Sequence, residues 1–390
     1  MEGRRRTEAD RGGRGRTLLV LALVAAGCRS ERAAAPAPAG MDSVPIAGHV
    51  LYVPSGFHVN IYATTSGGPR FMALAPDGSV YVTQFNANNV VRLVDADHDG
   101  VAESSSIVRG NLMHPHGVAF RGDTLYVAVE DGVIRYDPGA PDSVRLVSNL
   151  PTGTGHSTRS IAFGPPPDNG MYVSIGSSSN IDLETDTLRA AVMQYDLKGM
   201  NGKVFARGLR NSVGLAFNPT TGALWATNND RDNIGPTTAA TDSLPPERIN
   251  ILLDGKNYSW PQCYLPNRAN PEYVNVADCS TVQAPAITFT AHSAPLGIAF
   301  YTGTMFPADY QGDAFVAYHG SWNRTVPTGA KVVRVQVQGG MPVAITDFVV
   351  GWLSTNPYWG RPAGLLVLPD GSLLISDDAS GRIWRVSYGP

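Results

Sequence analysis

The sequence has few charged residues, few cysteines and no apolar run long enough to cross a membrane as a helix. Charged residues make up 16% of the 390 positions, whereas glycine and proline contribute 42 and 29 residues. This composition, without any segment of clear helical period, favours turn-rich β structure over helix. The apolar run at residues 17–26 is too short for a transmembrane helix. The three cysteines include no Cys-x-x-Cys-His motif, which excludes covalently attached c-type haem.

The N-terminus has the pattern of a bacterial lipoprotein signal. Six arginines within residues 4–16 precede the apolar run, and small residues then lead to Cys28. We therefore predict a signal peptide at residues 1–27, lipidation of Cys28 and a flexible Ala/Pro tether at residues 28–48. The two residues after Cys28 carry no acidic retention signal, so the predicted location is periplasmic, with the lipid in the outer membrane. The alternative is an ordinary signal peptide with a bystander cysteine.

The charge balance argues against a nucleic-acid partner. The whole sequence carries a formal net charge of −3. Residues 1–27 hold six arginines against Glu2, Glu8 and Asp10, so their removal lowers the formal charge from −3 to −6. An acidic mature chain is not expected to bind nucleic acid or an anionic membrane surface.

An apolar strand start recurs six times after residue 48, with a cationic or imidazole side chain just before it. A spacing of about 40 to 50 residues, with several short strands in each repeat, is typical of a β-propeller. We predict an all-β, six-bladed propeller at residues 49–390, closed by pairing of an N-terminal strand with the last blade. The six copies are Arg70–Ala73, His116–Ala119, Arg159–Phe163, Arg210–Phe217, His292–Phe300 and Arg361–Leu365.

Radial repetition places equivalent positions of all blades on one ring around the axis. The cationic and imidazole side chains of the repeats are therefore expected to meet at one mouth of the central channel. Such a ring suits an anionic ligand. Its predicted members are Arg70, His116, His156, Arg159, Arg210, His292 and Arg361.

Two further features concern stability. With Cys28 lipidated, Cys263 and Cys279 remain as an even pair in an exported protein, which predicts a disulfide. Separately, Asp95, Asp97 and Asp99 alternate before Gly100, as in the first half of a calcium loop. Position twelve of that loop is Ser106 and not an acid, so it is no EF-hand. A calcium-stapled hairpin and a solvated Asp/Gly turn both remain open.

His156 ends a Leu-Pro loop at residues 150–155 and lies three residues before Arg159. A lone histidine is more often structural than catalytic. Its position at the predicted channel mouth favours the role of general base, since a histidine of near-neutral pKa can remove a hydroxyl proton. In that role, the reaction rate is expected to fall as the pH drops through the imidazole's titration.

Several blocks resemble the soluble quinoprotein glucose/sorbosone dehydrogenases, over about Phe57 to Tyr388. The blocks shared with the whole family are Gly208–Pro219, Trp225–Asp232, Ile249-Asn250 and Gly255–Pro261. Two others are similar to the sorbosone and pyranose dehydrogenase branch, namely His319–Arg324 and Gly360–Pro362. The resemblance implies a propeller that holds pyrroloquinoline quinone (PQQ) and calcium at its top face.

The resemblance also implies roles for individual residues. Arg210 and Asn211 would contact the quinone oxygens, Arg361 a carboxylate of the cofactor, and Arg324 would replace a family lysine. His156 matches the family's catalytic base.

Four further residues are expected to contact the cofactor or its calcium. Arg159 and Arg70, from the same ring, are added to the expected cofactor contacts. The backbone at Asn229 and Asp230 falls where family carbonyls bind the cofactor's calcium.

The expected activity is hydride transfer from a sugar or aldose hydroxyl or aldehyde to PQQ. Arg210 and calcium would stabilise the charge that develops on the quinone. Without a haem motif, the electrons must leave to a separate acceptor, a cytochrome or a quinone. The alternatives are a calcium-dependent lactonase-like hydrolase on a similar propeller and a non-catalytic, surface-anchored binding propeller. The ring of arginine and histidine favours the quinone-dependent sugar dehydrogenase over these two alternatives.

Overall fold

The computed structural model describes residues 38–235, 237–353 and 358–389. The predicted signal peptide, the lipidation site Cys28 and residues 28–37 of the predicted tether lie outside these ranges. Within them, nearly all of the regular secondary structure is short antiparallel strand, and six sheets of four or more strands follow one another. This arrangement confirms the predicted all-β, six-bladed propeller.

The first three blades follow the chain in order, from the inner strand outward. Blade one contains Pro69–Leu74, Val80–Gln84, Asn89–Val94 and Ser104–Arg109. Blade two contains Gly117–Arg121, Thr124–Val129, Gly132–Tyr136 and Val144–Val147. Blade three contains Ile161–Phe163, Met171–Ile175, Ala191–Tyr195, Lys203–Arg207 and a fifth, parallel strand, Lys256–Asn257.

The last three blades complete the ring. Blade four contains Leu215–Phe217, Leu224–Asn228, Glu247–Leu252 and Ile287–Phe289. Blade five contains Pro295–Phe300, Ala314–Tyr318, Lys331–Gln338 and Met341–Val349. Blade six contains Pro362–Val367, Leu373–Asp377 and Arg382–Tyr388, and its outer strand is Phe57–Thr64 from the start of the domain.

Glycines at the starts of the inner strands let neighbouring blades approach closely. A Cβ on Gly117 would lie 2.8 Å from the carbonyl oxygen of Arg159 in the next blade. A Cβ on Gly297 would lie 2.7 Å from the carbonyl oxygen of Ala363. Real Cβ atoms do not approach a carbonyl oxygen so closely, so the recurring glycine reflects blade packing around the axis.

The predicted tether is wrong in its last part. Met41–Ile46 forms a strand that pairs with His49–Pro54 in a separate hairpin. Val44 and Ile46 pack against the apolar core between blades five and six. The Ala/Pro-rich segment, which predicts flexibility, ends before this strand. Burial of the apolar residues of the strand stabilises the hairpin.

The remaining elements lie in connections. Between the last two strands of blade four, a hairpin of Cys263–Leu265 and Arg268–Ala269 lies within a long insertion. The helices of the described ranges are Thr238–Ser243 and the 3₁₀ turns Pro271–Tyr273 and Ala308–Tyr310. No helix in these ranges has the length and apolarity needed to cross a membrane.

The predicted disulfide is present. Cys263 and Cys279 are bonded, with their Cα atoms 5.8 Å apart, and both residues are buried. The bond connects the hairpin to the end of the turn that follows Tyr273. The insertion is therefore held as a folded unit beside blade four.

Candidate active site

A cavity of about 220 Å³ lies at the end of the propeller where the inner strands of blades three to six begin. Its walls combine arginine, histidine, asparagine and three carboxylic acids. The polar lining residues are His156, Arg210, Asn211, Asn229, Asp230, Asp232, Glu247, His292, His319, Trp322, Asn323 and Arg361.

His156 presents an unprotonated ring nitrogen to this cavity. Its Nδ1 lies 3.1 Å from the carbonyl oxygen of Ser177 and 3.1 Å from the Ser177 hydroxyl. That hydroxyl already donates its hydrogen to the carbonyl oxygen of Ser179, at 2.6 Å. Both partners of Nδ1 therefore accept, so Nδ1 carries the proton and Nε2 keeps its lone pair.

The surroundings of His156 keep its imidazole neutral. Burial, followed by the positive charge of Arg210, lowers the pKa of His156 to about 3. The charges of Arg189 and Arg159 act in the same direction. The expected near-neutral titration of His156 is thus wrong for this structure, because desolvation and nearby cations disfavour the imidazolium.

Arg210 is buried at the cavity wall and its guanidinium is fully oriented. It donates from Nη1 to the carbonyl oxygen of Asp230 at 2.7 Å, and from Nε to the carbonyl oxygen of Asn180 at 3.2 Å. Its Nη2 donates to the Asn180 side chain at 3.0 Å and lies 3.3 Å from the carboxylate of Asp232. These contacts fix the charge of Arg210 at the cavity.

Asp232 connects several lining residues, although the sequence did not single it out as a site residue. One carboxylate oxygen accepts from the side chain of Asn323 at 2.8 Å and lies 3.7 Å from Nδ1 of His292. The other faces Arg210. Its only signal in the sequence is its place at the end of the block Trp225–Asp232.

Arg361 reaches the cavity from the connection before blade six. It donates from Nε to the carbonyl oxygen of His319 at 2.9 Å and from Nη2 to that of Gly320 at 2.8 Å. Its guanidinium carbon lies 5.5 Å from the centre of the Tyr358 ring. Its Nη1 makes no hydrogen bond to the described part of the chain, so one donor of Arg361 remains available to a ligand.

Oxygen atoms gather on the side of the cavity formed by Asn229, Asp230 and Glu247. The amide of Asp230 donates to the Glu247 carboxyl at 2.7 Å, and the Asp230 carboxylate pairs with the buried Arg248. Burial raises the pKa of Glu247 well above its usual range, and the charge of Asp230 adds to this. The predicted metal-binding carbonyls at Asn229 and Asp230 thus lie beside a carboxyl group that the sequence did not indicate.

Three members of the predicted ring, Arg159, Arg70 and His116, are not among the residues that line the cavity. Arg159 is fully buried and donates to the carbonyl oxygens of His156 at 3.0 Å and Thr158 at 2.8 Å. Arg70 pairs with Asp378 at 2.5 Å, and Asp378 in turn contacts His319. Their guanidinium groups contact backbone carbonyls and a carboxylate of the protein, and the direct cofactor contacts expected for Arg159 and Arg70 stay predictions.

Arg324 is not among the residues that line the cavity either. Its Nε donates to the carbonyl oxygen of Val326 and its Nη1 to that of Ala291, both at 3.1 Å. Nη1 also donates to the carbonyl oxygen of Asp242. The guanidinium of Arg324 connects its own loop to a neighbouring one, and its expected cofactor contact stays a prediction. The adjacent Asn323 lines the cavity instead, with a buried Oδ1 that has no partner among the described residues.

The predicted calcium loop brings its acids together away from the cavity. Ligand oxygens of Asp95, Asp97, Asp99 and Glu103 all lie within 4.8 Å of one another. These side chains also cap the turn, as where Asp95 accepts from the amide of Gly100 at 3.0 Å. Both readings of the loop fit this geometry, so metal binding there stays a prediction.

The comparisons with known proteins concern the whole propeller. An uncharacterised protein of Borreliella burgdorferi is 28% identical over 359 residues, which cover 87% of this chain and 91% of that protein. The pyrroloquinoline quinone-dependent sugar dehydrogenase of Hypocrea jecorina is 25% identical over 394 residues, or 84% of this chain and 87% of the other.

Solved structures show the same architecture. The holo form of the pyranose dehydrogenase PQQ domain from Coprinopsis cinerea aligns with a TM-score of 0.73. The alignment covers 90% of this chain and 98% of that one at 22% identity, which is a likeness of fold. A family model described as TrAA12-like matches residues 51–389. This match confirms the resemblance seen in the sequence blocks, and the chain belongs to the TrAA12-like family.

Proposed function

We propose that this chain is a PQQ- and calcium-dependent oxidoreductase that oxidises a hydroxyl or aldehyde group of a sugar or aldose. The observation that carries the proposal is the neutral His156, which has its lone pair on Nε2 and lines a cavity together with Arg210 and Arg361. The named activity of the Hypocrea jecorina relative and the PQQ domain of the Coprinopsis cinerea structure support it.

The lining residues fit a planar quinone with three carboxylates. Arg210 and Arg361 supply charge-assisted donors, and the Nη1 of Arg361 is available. The carboxamide of Asn211 makes no hydrogen bond to the described residues and lines the same cavity. These three residues are the proposed cofactor contacts.

The same cavity contains the carboxylate of Asp232, which would repel an anionic cofactor, and the carboxyl group of Glu247, whose raised pKa favours its neutral form. Asp232 and Glu247 line it beside the backbone of Asn229 and Asp230. Oxygen ligands of this kind suit calcium, and a bound divalent cation would reverse the local repulsion. We therefore assign calcium to this side of the cavity, with the carbonyl groups of Asn229 and Asp230 as its proposed protein ligands.

In this proposal the protein orients the substrate and accepts a proton. PQQ with calcium supplies the two-electron acceptor when it is bound. The Nε2 of His156 takes the proton of the substrate hydroxyl, while Ser177 holds the ring through Nδ1. Arg210, fixed by Asn180 and Asp230, places a permanent positive charge where negative charge develops.

The rest of the proposal concerns the cellular context. The N-terminal sequence supports export and lipidation at Cys28, which would place the enzyme in the periplasm on a membrane anchor, with the outer membrane as the proposed site. The absence of a haem-attachment motif supports transfer of the electrons to a separate acceptor.

The test is reconstitution of the purified protein with PQQ and calcium. Calorimetry should show quinone binding that a calcium chelator abolishes, and aldoses should then drive reduction of a redox dye. A protein that binds no quinone in calcium-containing buffer would reject the proposal. Hydrolysis of lactones without added quinone would instead favour the lactonase-like alternative.

A further inference from the structure

Trp322, an exposed apolar side chain, lines the active-site cavity, and three more exposed apolar side chains lie in loops that hydrogen bonds connect to it. Leu183 is 61% exposed, Val274 60%, Val276 71% and Trp322 73%. We call these four residues the rim patch. Isolated exposed apolar residues need no explanation, but a group of them beside a functional cavity indicates a contact surface.

Hydrogen bonds hold the rim patch together although its members come from three loops. The hydroxyl of Tyr273, next to Val274, donates to the carbonyl oxygen of Ile181 at 2.9 Å. On the other side, Asn323, next to Trp322, donates to the carboxylate of Asp232 at 2.8 Å. The side chain of Asn180 donates to the carbonyl oxygen of the same Asp232 at 3.0 Å.

The rim patch also lies close to the redox site. The carbonyl oxygen of Asn180 accepts from Nε of Arg210, a proposed cofactor contact, at 3.2 Å. Leu183 follows Asn180 by three residues, and three extended residues span at most about 10 Å. A partner that covers the patch is therefore near the bound cofactor.

The loops around the rim patch are acidic. Residues 176–188 contain Asp182, Glu184 and Asp186 and no lysine or arginine. Asp182 and Glu272 both raise the pKa of the Tyr273 phenol, after its burial, so both carboxylates lie near this hydroxyl. The blade-four insertion, residues 253–286, also carries Asp254, Asp278, Lys256 and Arg268. Glu272 is paired with Arg231, and Arg324 follows Trp322 by two residues. Negative charge thus dominates around the apolar residues.

We infer that the rim patch is the docking surface for a small, basic one-electron carrier protein. This inference rests on the proposed function, because only an enzyme that releases electrons needs such a partner. Oxidation of one sugar hydroxyl to a carbonyl releases two electrons and two protons. Two carrier molecules, each reduced by one electron, must therefore dock in turn for each substrate molecule.

An apolar centre with an acidic border suits this short-lived contact. Electron-transfer complexes bury little area, so a few apolar residues can provide the contact. Opposite charges on the two proteins speed their encounter without making the complex long-lived. The patch binds the carrier, and the carboxylates of the loops direct it there.

The experiment compares two acceptors with the reconstituted enzyme. Dichlorophenolindophenol, a small dye, reports sugar oxidation alone, and equine cytochrome c serves as the basic one-electron protein. We expect kcat/KM for the cytochrome to fall by about tenfold or more as salt rises from low to physiological concentration. The rate with the dye should change by less than twofold.

Two double variants test the surface itself. Asp182→Lys with Asn275→Lys reverses the local charge, and Val274→Ser with Val276→Ser removes apolar contacts. Each should lower the cytochrome rate at low salt by about tenfold and leave dye reduction within twofold of wild type. Matched controls are Asp123→Lys, in the turn between the first two strands of blade two, and Ile107→Ser, since Ile107 is 66% exposed on the outer strand of blade one.

Several results would overturn the inference. Wild-type cytochrome rates in both double variants, or no cytochrome reduction while the dye is reduced, would do so. A dimer that Val274→Ser with Val276→Ser dissociates in sedimentation velocity would assign the patch to self-association. If the dye is not reduced either, the proposed function fails, and NMR titration of the enzyme with equine cytochrome c still tests the surface, with no shifts at residues 182–183 and 274–276 as the contradicting result.

Discussion

His156 and Ser177 form a contact in which one backbone carbonyl and one hydroxyl both accept from the same ring nitrogen, at 3.1 Å each. The contact decides the tautomer of His156, and so it decides which nitrogen can act as a base. It also ties the His156 loop to the end of the second strand of blade three, because the His156 amide donates to the same carbonyl oxygen at 2.9 Å. The base is therefore positioned by the propeller itself.

Substitution of His156 tests its role as general base. His156→Ala and His156→Gln should lower sugar turnover by roughly 10²–10⁴-fold, because a positioned proton acceptor is lost. Calorimetry should show PQQ affinity close to that of the wild type. His114→Ala is the matched control, since His114 is paired with Glu130 outside the cavity. A quinone-loaded His156→Ala enzyme of full activity would disprove the assignment.

The lowered pKa of His156 predicts its behaviour with pH. A general base works when it is deprotonated, so a base of pKa near 6.5 would lose activity as the pH falls below 7. With the pKa lowered to about 3, the ring of the ligand-free protein stays neutral throughout the range from pH 8 to pH 5. Nitrogen NMR of the His156 ring should show no protonation there. A titration near neutral pH would contradict the desolvation argument.

Substitution of Arg361, which lines the cavity, and of Arg70, which does not, tests which arginine contacts the cofactor. Arg361→Ala should weaken PQQ binding by about 1.5–3 kcal/mol, or roughly ten- to a hundred-fold, because a charge-assisted hydrogen bond is lost. Arg70→Ala should change the affinity by less than threefold, since Arg70 is paired with Asp378. Calorimetric titration of both variants decides the matter. Equal losses of affinity would show that the cavity wall rearranges on binding.

The disulfide is expected to stabilise the insertion. The two cysteines are separated by 16 positions in the sequence, and closing a loop of this size corresponds to about 3 kcal/mol in the chain-entropy model. Cys263→Ser with Cys279→Ser should therefore raise hydrogen exchange in residues 263–279, and the inner strands of the blades should keep their protection. Loss of protection in all six blades would mean that the insertion supports the whole ring.

The fold was predictable because radial repetition leaves a regular trace in the sequence. Positions such as Arg210 and Arg361 come before inner strands, and the ring argument places their backbones correctly at one mouth. It does not determine where a long guanidinium group points. Arg159 and Arg70 occupy equivalent positions, yet their guanidinium groups contact local carbonyls and Asp378 and do not line the cavity.

The missed residues come from positions that do not repeat, since Asp232 and Asn323 lie in connections and Glu247 begins the third strand of blade four. Asp232 and Glu247 meet the repeat-derived Arg210 only after the loops of blade four have folded back. Asn323 lies in the block His319–Arg324. In that block the sequence indicates the charged Arg324, and not Asn323, as the cofactor contact. A periodic pattern can indicate which end of a propeller is functional. The partners that complete the site depend on contacts between loops far apart in sequence.

The pairing of the first and last strands of the propeller in blade six determines when the ring can close during synthesis. The strand Phe57–Thr64 is made early but must wait for Arg382–Tyr388, more than three hundred residues later, before its sheet can form. Arg361 likewise joins the other cavity residues only when blade six closes the ring. A nascent chain therefore has neither a closed ring nor a complete cavity until its last blade has emerged, so cofactor loading follows synthesis and does not guide it.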